Sequence, residues 1–195
     1  MFANGKFFSE ILRSLIILVM MMALVGLVYP LLMTLIGKAV FPEKTTGSLI
    51  YNTQGQATGS ALIGQNFTAL RDFWARPSAT QDNPLHSGGS NLGPTNPQLL
   101  KNIQTQITLL EKANPTQTGP IPIDLVTESG SGLDPDISVA AAEYQAVRVA
   151  KARHLDSQTV ERLIIQNTQA RQWGLLGEPV VNVVLLNQGL DQVAS

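Results

Sequence analysis

The sequence contains no cysteine and few ionic groups, with 13 Lys and Arg and 14 Asp and Glu among 195 residues. The lack of cysteine excludes disulfides, thiolate zinc sites, Fe–S clusters and cysteine nucleophiles. A net charge of −1 provides no basic excess for phosphates, so nucleic acid is not an expected partner. The two histidines, His86 and His154, lack the carboxylate spacing of a metal site, and no metal is expected.

The apolar residues are concentrated in one run. Positions 14–37 carry no charge and consist mostly of Leu, Ile, Val and Met. A bilayer core of roughly 30 Å requires about 20 apolar residues in a helix, so this run predicts one transmembrane helix after a short N-terminal segment, 1–13. Pro30 is expected to kink the helix, with Thr34 or a neighbouring group satisfying the carbonyl that proline frees.

A cleaved signal peptide is the alternative interpretation of this run, because Lys6 and Arg13 precede it. The run is longer than a signal-peptide core and no A-x-A cleavage site follows, which favours an uncleaved anchor. These two residues and the amino terminus slightly outweigh the two lysines of the juxtamembrane linker, 38–44. The charge balance therefore leans toward a cytoplasmic N-terminus.

Residues 45–195 have the length of one soluble domain. Helical and extended patterns both occur, which predicts an α+β (mixed α/β) fold behind the single N-terminal transmembrane helix. Asn96 is expected to cap a helix that starts at Pro97 and ends near Asn114. The apolar stripe of this helix is formed by Leu100, Ile103, Ile107 and Leu110.

Local signals predict five more elements in this domain. They are a second helix over about 138–154, a third helix capped by Asp156 with Val160, Leu163, Ile164 and Asn167 on one face, and strands at Leu49–Tyr51, 124–128 and 180–187.

The segment 76–97 is a polar stretch longer than ordinary connections, which indicates that it has a function. It contains one glycine–serine loop, 87–91, and a second such loop lies at 129–132. Backbone N–H groups in these loops could cradle an anion or phosphate, the glycines could provide positive φ in tight turns, or the backbone could dock a partner. Asp134 and Asp136 are expected to cap the second helix.

Recognisable catalytic motifs are absent. The segment Gly88–Leu92 begins like the G-x-S-x-G nucleophile elbow, but Leu92 occupies the place of its last glycine. No G-x-x-x-x-G-K-[ST] nucleotide loop occurs. A membrane-anchored extracytoplasmic hydrolase that uses Ser90 or Ser131 is the alternative function, although the sequence places no base for it.

Six ordered blocks make the chain similar to a known family. The sequence resembles KdpC, the C subunit of the bacterial Kdp potassium-transporting ATPase, over nearly its whole length. Small departures occur at Trp74, Glu128 and Val139, and none removes a glycine loop. The blocks are Gly59–Gln65, Phe73–Ser78, Ser87–Asn96, Ser129–Pro135, Arg148–Arg153 and Gly177–Val183.

The resemblance implies a non-catalytic, single-pass subunit of the cell inner membrane whose C-terminal domain is periplasmic. Its partners would be membrane lipid, a potassium-channel-like subunit and a P-type ATPase subunit, and the complex rather than this chain would hydrolyse ATP. The subunit would stabilise their assembly and act as a catalytic chaperone that raises ATP affinity. No tightly bound cofactor is expected, and ATP would act through the complex.

The resemblance also indicates site residues. Partner contacts are expected at Arg76, Ser87, Gly88, Gly89, Ser90 and Asn91. Nucleotide contacts are expected at Ser129, Gly130, Ser131, Gly132 and Gln145. Because ATP is not available outside the cytoplasm, any effect of this domain on nucleotide affinity would have to pass through the assembly. The alternative for Gln145 is a helix-surface amide that bonds its neighbours.

Overall fold

The computed structural model describes residues 4–52 and 54–193, which form two compact units that divide between Ser48 and Leu49. The first unit contains helix α1 (Asn4–Ala23), a π-helical turn (Leu24–Val28), helix α2 (Tyr29–Val40) and the short helix α3 (Pro42–Thr45). The range Lys6–Val40 is long and apolar enough to cross a membrane, and its 35 residues measure about 52 Å. The predicted limits 14–37 lie inside this helix.

The π-helical turn lies immediately before Pro30. The N–H of Tyr29 bonds the carbonyl of Leu24, five residues earlier, so the helix widens where proline removes a backbone donor. The hydroxyl of Thr34 donates to the carbonyl of Pro30 at 2.7 Å. The expectation that Thr34 satisfies the carbonyl freed by proline is therefore wrong, because that carbonyl lies on the N-terminal side of Pro30.

The second unit is mixed helix and sheet, which confirms the predicted fold class. Its elements are β1 (Leu49–Tyr51), β2 (Ala57–Ser60), α4 (Pro97–Ala113), a 3₁₀ turn (Ile123–Leu125), β3 (Asp136–Ser138), α5 (Val139–Arg153), α6 (Ser157–Gln166), β4 (Thr168–Gln169), β5 (Val180–Asn182) and α7 (Val183–Val193). Strands β1 and β2 form an antiparallel pair, and β5 lies between β3 and β4 in a three-stranded antiparallel sheet.

The core of this unit lies between the three-stranded sheet and helices α5, α6 and α7. Val181, at the centre of β5, is opposite Ile137 of β3 and Thr168 of β4, and its side chain is fully buried. Removing these apolar side chains from water is the main favourable contribution to folding. Other fully buried side chains are Phe73, Val149, Val160, Val183, Leu186 and Leu190.

Two helices begin as the sequence predicts. The side chain of Asn96 accepts the N–H of Gln98 at 2.9 Å, and α4 then runs to Ala113. Ser138 caps α5 by accepting the N–H of Ala141 at 3.0 Å. Caps are predictable because they depend on bonds between residues two or three positions apart. The stripe of α4 is only partly buried, since Leu100 is 63% exposed.

Two local expectations were wrong, and a third was confirmed only in part. Residues 124–128 include the end of a 3₁₀ turn instead of a strand, and the strand at 180–187 stops at Asn182. The side chain of Asn182 accepts the N–H of Leu185 at 3.1 Å and begins α7 there. A short apolar run fits a buried strand or a buried helix equally well, so its pattern could not decide. Asp156 is the N-cap residue of α6, as predicted, but it makes no side-chain capping bond among the described residues.

Candidate interaction site

The two glycine–serine loops lie against each other. The N–H of Gly88 donates to the carbonyl of Ser131 at 2.8 Å, and the hydroxyl of Ser87 donates to the same carbonyl at 3.0 Å. The N–H of Ser129 bonds the carbonyl of Pro77 at 2.9 Å. The first-loop residues predicted for partner contact therefore lie next to four of those predicted for nucleotide contact, of which Ser129 and Gly132 are buried. We call Ser87–Asn91 together with Ser129–Gly132 the loop surface.

The glycines of the loop surface have different surroundings. Gly132 has φ +66°, and a Cβ there would lie 2.5 Å from the carbonyl oxygen of Gly88. A Cβ on Gly89 would lie 3.2 Å from the oxygen of Gly130. At Gly88 and Gly130, by contrast, a Cβ would meet no described atom within 4 Å. Gly132 is thus required by the fold, whereas Gly88 and Gly130 are not required by contacts within their own chain.

The polar side chains of the loop surface bond nearby groups. Ser129 Oγ lies 3.1 Å from Ser131 Oγ and accepts the N–H of Gly132 at 3.1 Å. Ser131 Oγ also accepts the N–H of Leu133. Asn91, with φ 53°, donates to the carbonyl of Gly89 at 3.1 Å. These bonds match the interpretation in which serine and asparagine stabilise local turns.

Arg76 forms hydrogen bonds on both sides of the second loop, 129–132. Its guanidinium donates to Asp134 Oδ2 at 3.2 Å and to the carbonyl of Glu128 at 3.3 Å. Asp134 therefore pairs with Arg76 and does not cap α5. Asp136 does not cap it either, since its carboxylate accepts the side-chain N–H of Asn182 at 3.0 Å. The predicted capping by both aspartates was wrong because β3 begins at Asp136, and Ser138, at the end of that strand, occupies the cap position.

Two aspartates near the loops are partly desolvated. Burial raises the pKa of Asp82, whose carboxylate lies beside Gly64. Burial also raises the pKa of Asp136, and the nearby charge of Asp134 adds to this, whereas the hydrogen bond from Asn182 opposes it. The start of α5 is instead joined to Asp124, whose carboxylate accepts the N–H of Ser138 at 2.7 Å.

A cleft of about 390 Å³ opens beside Arg76, between α4 and the segment 65–82. Asn102 donates to one carboxylate oxygen of Glu128 at 3.1 Å. The other oxygen, Oε2, and the Nε of Arg76 are buried and have no hydrogen-bond partner among the described residues. Each such group is costly to leave unsatisfied. The cleft is lined by Phe67, Trp74, Arg76, Ser78, Leu109 and Glu128 among others.

Gln145 lies away from the loop surface, fully buried in α5. Its side-chain oxygen accepts the N–H of Trp74 at 2.8 Å, and its nitrogen donates to the carbonyl of Trp74 at 3.1 Å. The same side chain also bonds Arg148 and the carbonyl of Ala141. The alternative of a helix-surface amide that bonds its neighbours was wrong about the surface, because Gln145 is buried, and right about the bonds to its helix neighbours. All four hydrogen-bonding positions of the amide are used inside the domain.

Arg148 is the buried cation next to Gln145. It donates to Asn114 Oδ1 at 3.1 Å and to the carbonyl of Asp72 at 3.0 Å, and its guanidinium lies 4.4 Å from the centre of the Trp74 ring. Burial lowers its pKa to about 10, and the charge of Asp72 opposes this shift. In the sequence Arg148 stood out only as the first residue of the block Arg148–Arg153, so its role in the core was missed.

Two further residues, not singled out in the sequence, bond the segment 72–74 that Gln145 and Arg148 also contact. Asn187 of α7 accepts the N–H of Phe73 at 2.8 Å and donates to its carbonyl at 3.0 Å. Arg153 bonds Asp72 and Asp191, each at 2.7 Å. The blocks Phe73–Ser78 and Arg148–Arg153 were both noticed as motifs, but their contact could not be derived from spacing. Together these side chains position Arg76 at the loop surface.

The structure describes the surroundings of the histidines and serines that a hydrolase would use. Among residues 4–52 and 54–193, no three His, Asp or Glu side chains are grouped to hold a metal ion. His154 ends α5 in a left-handed conformation, and His86 is exposed in the long loop. Ser90 is half-buried. The described neighbours of the Ser131 hydroxyl are a hydroxyl and a backbone N–H, neither of which is a general base.

Comparison with known proteins gives one consistent result. The family model for KdpC, described as the K⁺-transporting ATPase c chain, matches residues 11–192. The potassium-transporting ATPase KdpC subunit of Polynucleobacter asymbioticus is 51% identical over 187 residues, which cover 94% of this chain and 98% of that protein. The subunit of the same name from Burkholderia ambifaria is also 51% identical, covering 94% and 96%. That of Variovorax paradoxus is 50% identical, covering 93% and 95%.

Proposed function

This chain belongs to the KdpC family, the c chain of K⁺-transporting ATPases, and we propose that it is an accessory subunit that holds a potassium-channel-like subunit and a P-type ATPase subunit together. In this proposal the chain contributes binding surfaces, and the other subunits contribute ion selectivity and ATP hydrolysis. The polar, irregular character of segment 76–96 supports a docking role, because loops on a rigid scaffold commonly carry binding residues.

The observation that carries this proposal is the pair of open glycines on the loop surface. Gly88 and Gly130 have no described atom within 4 Å of a Cβ position. Glycine is costly in chain entropy, and its advantages are unusual dihedral angles or close approach of another group to the backbone. Here the approaching group would belong to a neighbouring subunit. The ion pair between Arg76 and Asp134 restrains the backbone next to the Ser129–Gly132 loop.

Co-purification tests the proposal. The tagged chain is extracted in mild detergent from its own cells grown at limiting K⁺, and the co-eluting proteins are identified and quantified by mass spectrometry. Two other subunits in fixed ratio are expected. The variants Gly88→Val and Gly130→Val should retain about tenfold less of both subunits, which corresponds to about 1.4 kcal/mol of binding free energy, while the chain still folds. Gly119→Val, at a glycine that is equally open but outside the loop surface, is the matched control.

The result that would overturn the proposal is a chain that elutes alone, or one whose Gly88→Val and Gly130→Val variants both keep their partners at the level of the Gly119→Val control. The hydrolase alternative is tested in the same cells. No observation in the described residues favours a hydrolase. If the variants Ser90→Ala and Ser131→Ala still grow at limiting K⁺, the hydrolase alternative is wrong.

The proposed orientation places the N-terminus in the cytoplasm and residues 45–195 outside it. Because the chain has no cysteine, a single introduced cysteine is the only thiol that a reagent can label, and its labelling shows on which side of the membrane it lies. A membrane-impermeant maleimide should label Thr118→Cys in spheroplasts and should label Ala3→Cys only after the membrane is opened. Labelling in the reverse order would show the opposite orientation.

The proposed effect on ATP affinity is indirect. Coupling between separate sites is typically about 1–3 kcal/mol, which corresponds to a change of roughly 5–150-fold in affinity. The ATP concentration that gives half-maximal ATPase activity of the complex should therefore be higher when this chain is absent. Direct contact at Ser129–Gly132 and Gln145 is the competing proposal, and it requires calorimetric binding of millimolar ATP to the isolated chain. The burial of Gln145 favours the indirect route.

A further inference from the structure

A narrow hairpin between β4 and β5 presents an apolar tip to solvent. Every residue from Gln169 to Glu178 is exposed. Trp173 is 87% exposed, Leu175 80% and Leu176 55%. We call these three side chains the apolar tip. Soluble surfaces contain single exposed apolar residues, but a tryptophan and two leucines at one protruding turn require an explanation.

Bonds inside the hairpin fix its shape. The backbones of Gln172 and Leu176 bond each other in both directions, at 2.9 and 3.0 Å. An ion pair between Arg171 and Glu178 closes the base. Trp173 has φ 53°, and the glycines at 174 and 177 have φ of 75° and 78°. A tryptophan in the left-handed region is unusual, so local bonding holds the apolar tip outward at the expense of backbone strain.

The area of the apolar tip favours a lipid contact over a protein interface. A buried aromatic side chain contributes about 150–250 Å², and each leucine roughly 100 Å² at the usual area coefficient. The total of about 450 Å² or less is well below the roughly 800 Å² per partner of a stable protein interface. Tryptophan is enriched at the bilayer–water boundary, where its ring is buried and its N–H stays hydrated.

The covalent tether keeps the bilayer within reach of the domain. The apolar helix ends at Val40 and the domain begins at Leu49. The connecting residues 41–48 include the helix α3, and even fully extended they would span no more than about 29 Å. A domain of this size has a radius of gyration of about 15 Å. A tethered surface has a high effective concentration at its target, so a small apolar contact is sufficient for binding.

We propose that the apolar tip enters the headgroup region of the bilayer that the N-terminal helix spans, and forms a second, weaker lipid contact of the chain. The inference rests on the proposed membrane anchor and not on the assembly role. Because Arg171 and Glu178 neutralise each other at the base, binding does not depend on anionic lipid. Phosphatidylcholine alone should support it.

Tryptophan fluorescence of the full chain in phosphatidylcholine vesicles tests this proposal. The sequence has two tryptophans, so Trp74→Phe leaves Trp173 as the only reporter and Trp173→Phe leaves Trp74. Lipids brominated near the headgroup should quench Trp173 at least about twofold, and lipids brominated at mid-chain should quench it less, as expected for an interfacial depth of about 5–10 Å. Trp74, half-buried in the domain, should be quenched by neither.

A second comparison does not depend on the tryptophan itself. In the Trp74→Phe background, Leu175→Ser and Leu176→Ser together should restore most of the Trp173 emission. Both side chains are exposed, so the domain should keep its circular dichroism spectrum. Vesicle flotation is measured on each sample and shows separately whether the anchor holds.

The outcomes are distinct. If the chain floats with the vesicles and iodide in the buffer quenches Trp173 while brominated lipids do not, the lipid contact is wrong and the anchor stands. If the chain does not float, the anchor fails, and the lipid contact fails with it. Shielding of Trp173 that appears only when the other subunits are present would overturn the proposal in favour of a protein contact.

Discussion

The side-chain amide of Gln145 pairs with the backbone of Trp74 as a neighbouring strand would. It accepts the N–H at 2.8 Å and donates to the carbonyl at 3.1 Å. Asn187 of α7 makes the same pair of bonds with the backbone of Phe73, accepting its N–H and donating to its carbonyl. An extended segment without strand partners is thereby satisfied inside the core, where unpaired backbone groups would be costly. The segment leads directly to Arg76 and the loop surface.

Replacing Gln145 by alanine should destabilise the domain. The variant leaves the backbone groups of Trp74 and one donor of Arg148 unsatisfied, and each such buried group costs about 1–3 kcal/mol. We expect a loss of about 3 kcal/mol in the free energy of unfolding. Urea unfolding followed by circular dichroism in detergent measures it.

The control for this prediction is Gln104→Ala, on the exposed face of α4. Its effect should stay within about 0.5 kcal/mol. If Gln145→Ala were as stable as this control, the amide pairing would have no structural role, and the nucleotide interpretation of Gln145 would gain support.

Replacing Arg148 by lysine should also destabilise the domain, although the charge is kept. An ammonium group cannot donate to Asn114, Gln145 and the carbonyl of Asp72 in the fixed directions of a guanidinium. Breaking such a buried network typically costs about 3 kcal/mol. Thermal unfolding is the measurement, and Arg162→Lys on the exposed face of α6 is the control. Equal melting temperatures for the two variants would contradict the expectation.

The two glycines of the Ser129–Gly132 turn should respond differently to alanine. Gly132→Ala places a methyl group 2.5 Å from a carbonyl oxygen at φ +66°, and left-handed backbone alone costs an alanine about 1–2 kcal/mol. We expect a loss of about 2–4 kcal/mol in the free energy of unfolding, in the range of other backbone and packing defects.

Gly130→Ala should change this free energy by less than about 0.5 kcal/mol, because space for the methyl group exists. Chemical unfolding of both variants measures the two free energies of unfolding. A larger loss in Gly130→Ala than in Gly132→Ala would mean that the arrangement of the two loops is different from the one described.

The carboxyl of Asp136 should give stability a pH dependence of a definite sign. Burial raises its folded-state pKa above the ordinary value of 3.8, so the folded protein keeps this proton where the unfolded chain has lost it. The contribution of Asp136 to the free energy of unfolding therefore falls as pH rises from 3.8 through the folded-state pKa.

Asp136→Asn removes this dependence and keeps an oxygen for Asn182 to bond. Its stability relative to the original protein should increase between about pH 4 and pH 7, measured by urea unfolding at several pH values. The exposed residue Asp156, replaced by asparagine, is the control. A relative stability of Asp136→Asn that decreases over this range would show that the sign is wrong.

Arg76→Lys should separate stability from assembly. The pair with Asp134 is partly solvated, with Arg76 27% exposed, so its loss should lower the free energy of unfolding by about 1 kcal/mol or less. The fork that holds the Ser129–Gly132 loop is lost, so co-purification of the other subunits should fall several-fold. Arg162→Lys should leave both quantities unchanged, and retention of all partners by Arg76→Lys would count against the role of Arg76.

The features that the sequence predicted correctly depend on neighbours along the chain. The apolar run, the Asn96 cap, the start of the second helix near Ser138 and the strand at Leu49–Tyr51 each follow from composition or from bonds a few residues apart. The two glycine–serine loops were also visible, since glycine and serine in short clusters have few roles. Their contact with each other was not visible, because it joins positions more than forty residues apart.

The sequence by itself determined one long apolar helix, the mixed fold class, the main helix starts and, through its motifs, the family. Tertiary structure alone decided that Gln145 and Asn187 bond the backbone of Trp74 and Phe73, and that Arg76 bonds Asp134 and the carbonyl of Glu128 beside the loop surface. The physical reason is burial. A buried polar group must find a partner wherever the folded chain provides one, and local pattern carries no information about which distant segment that will be.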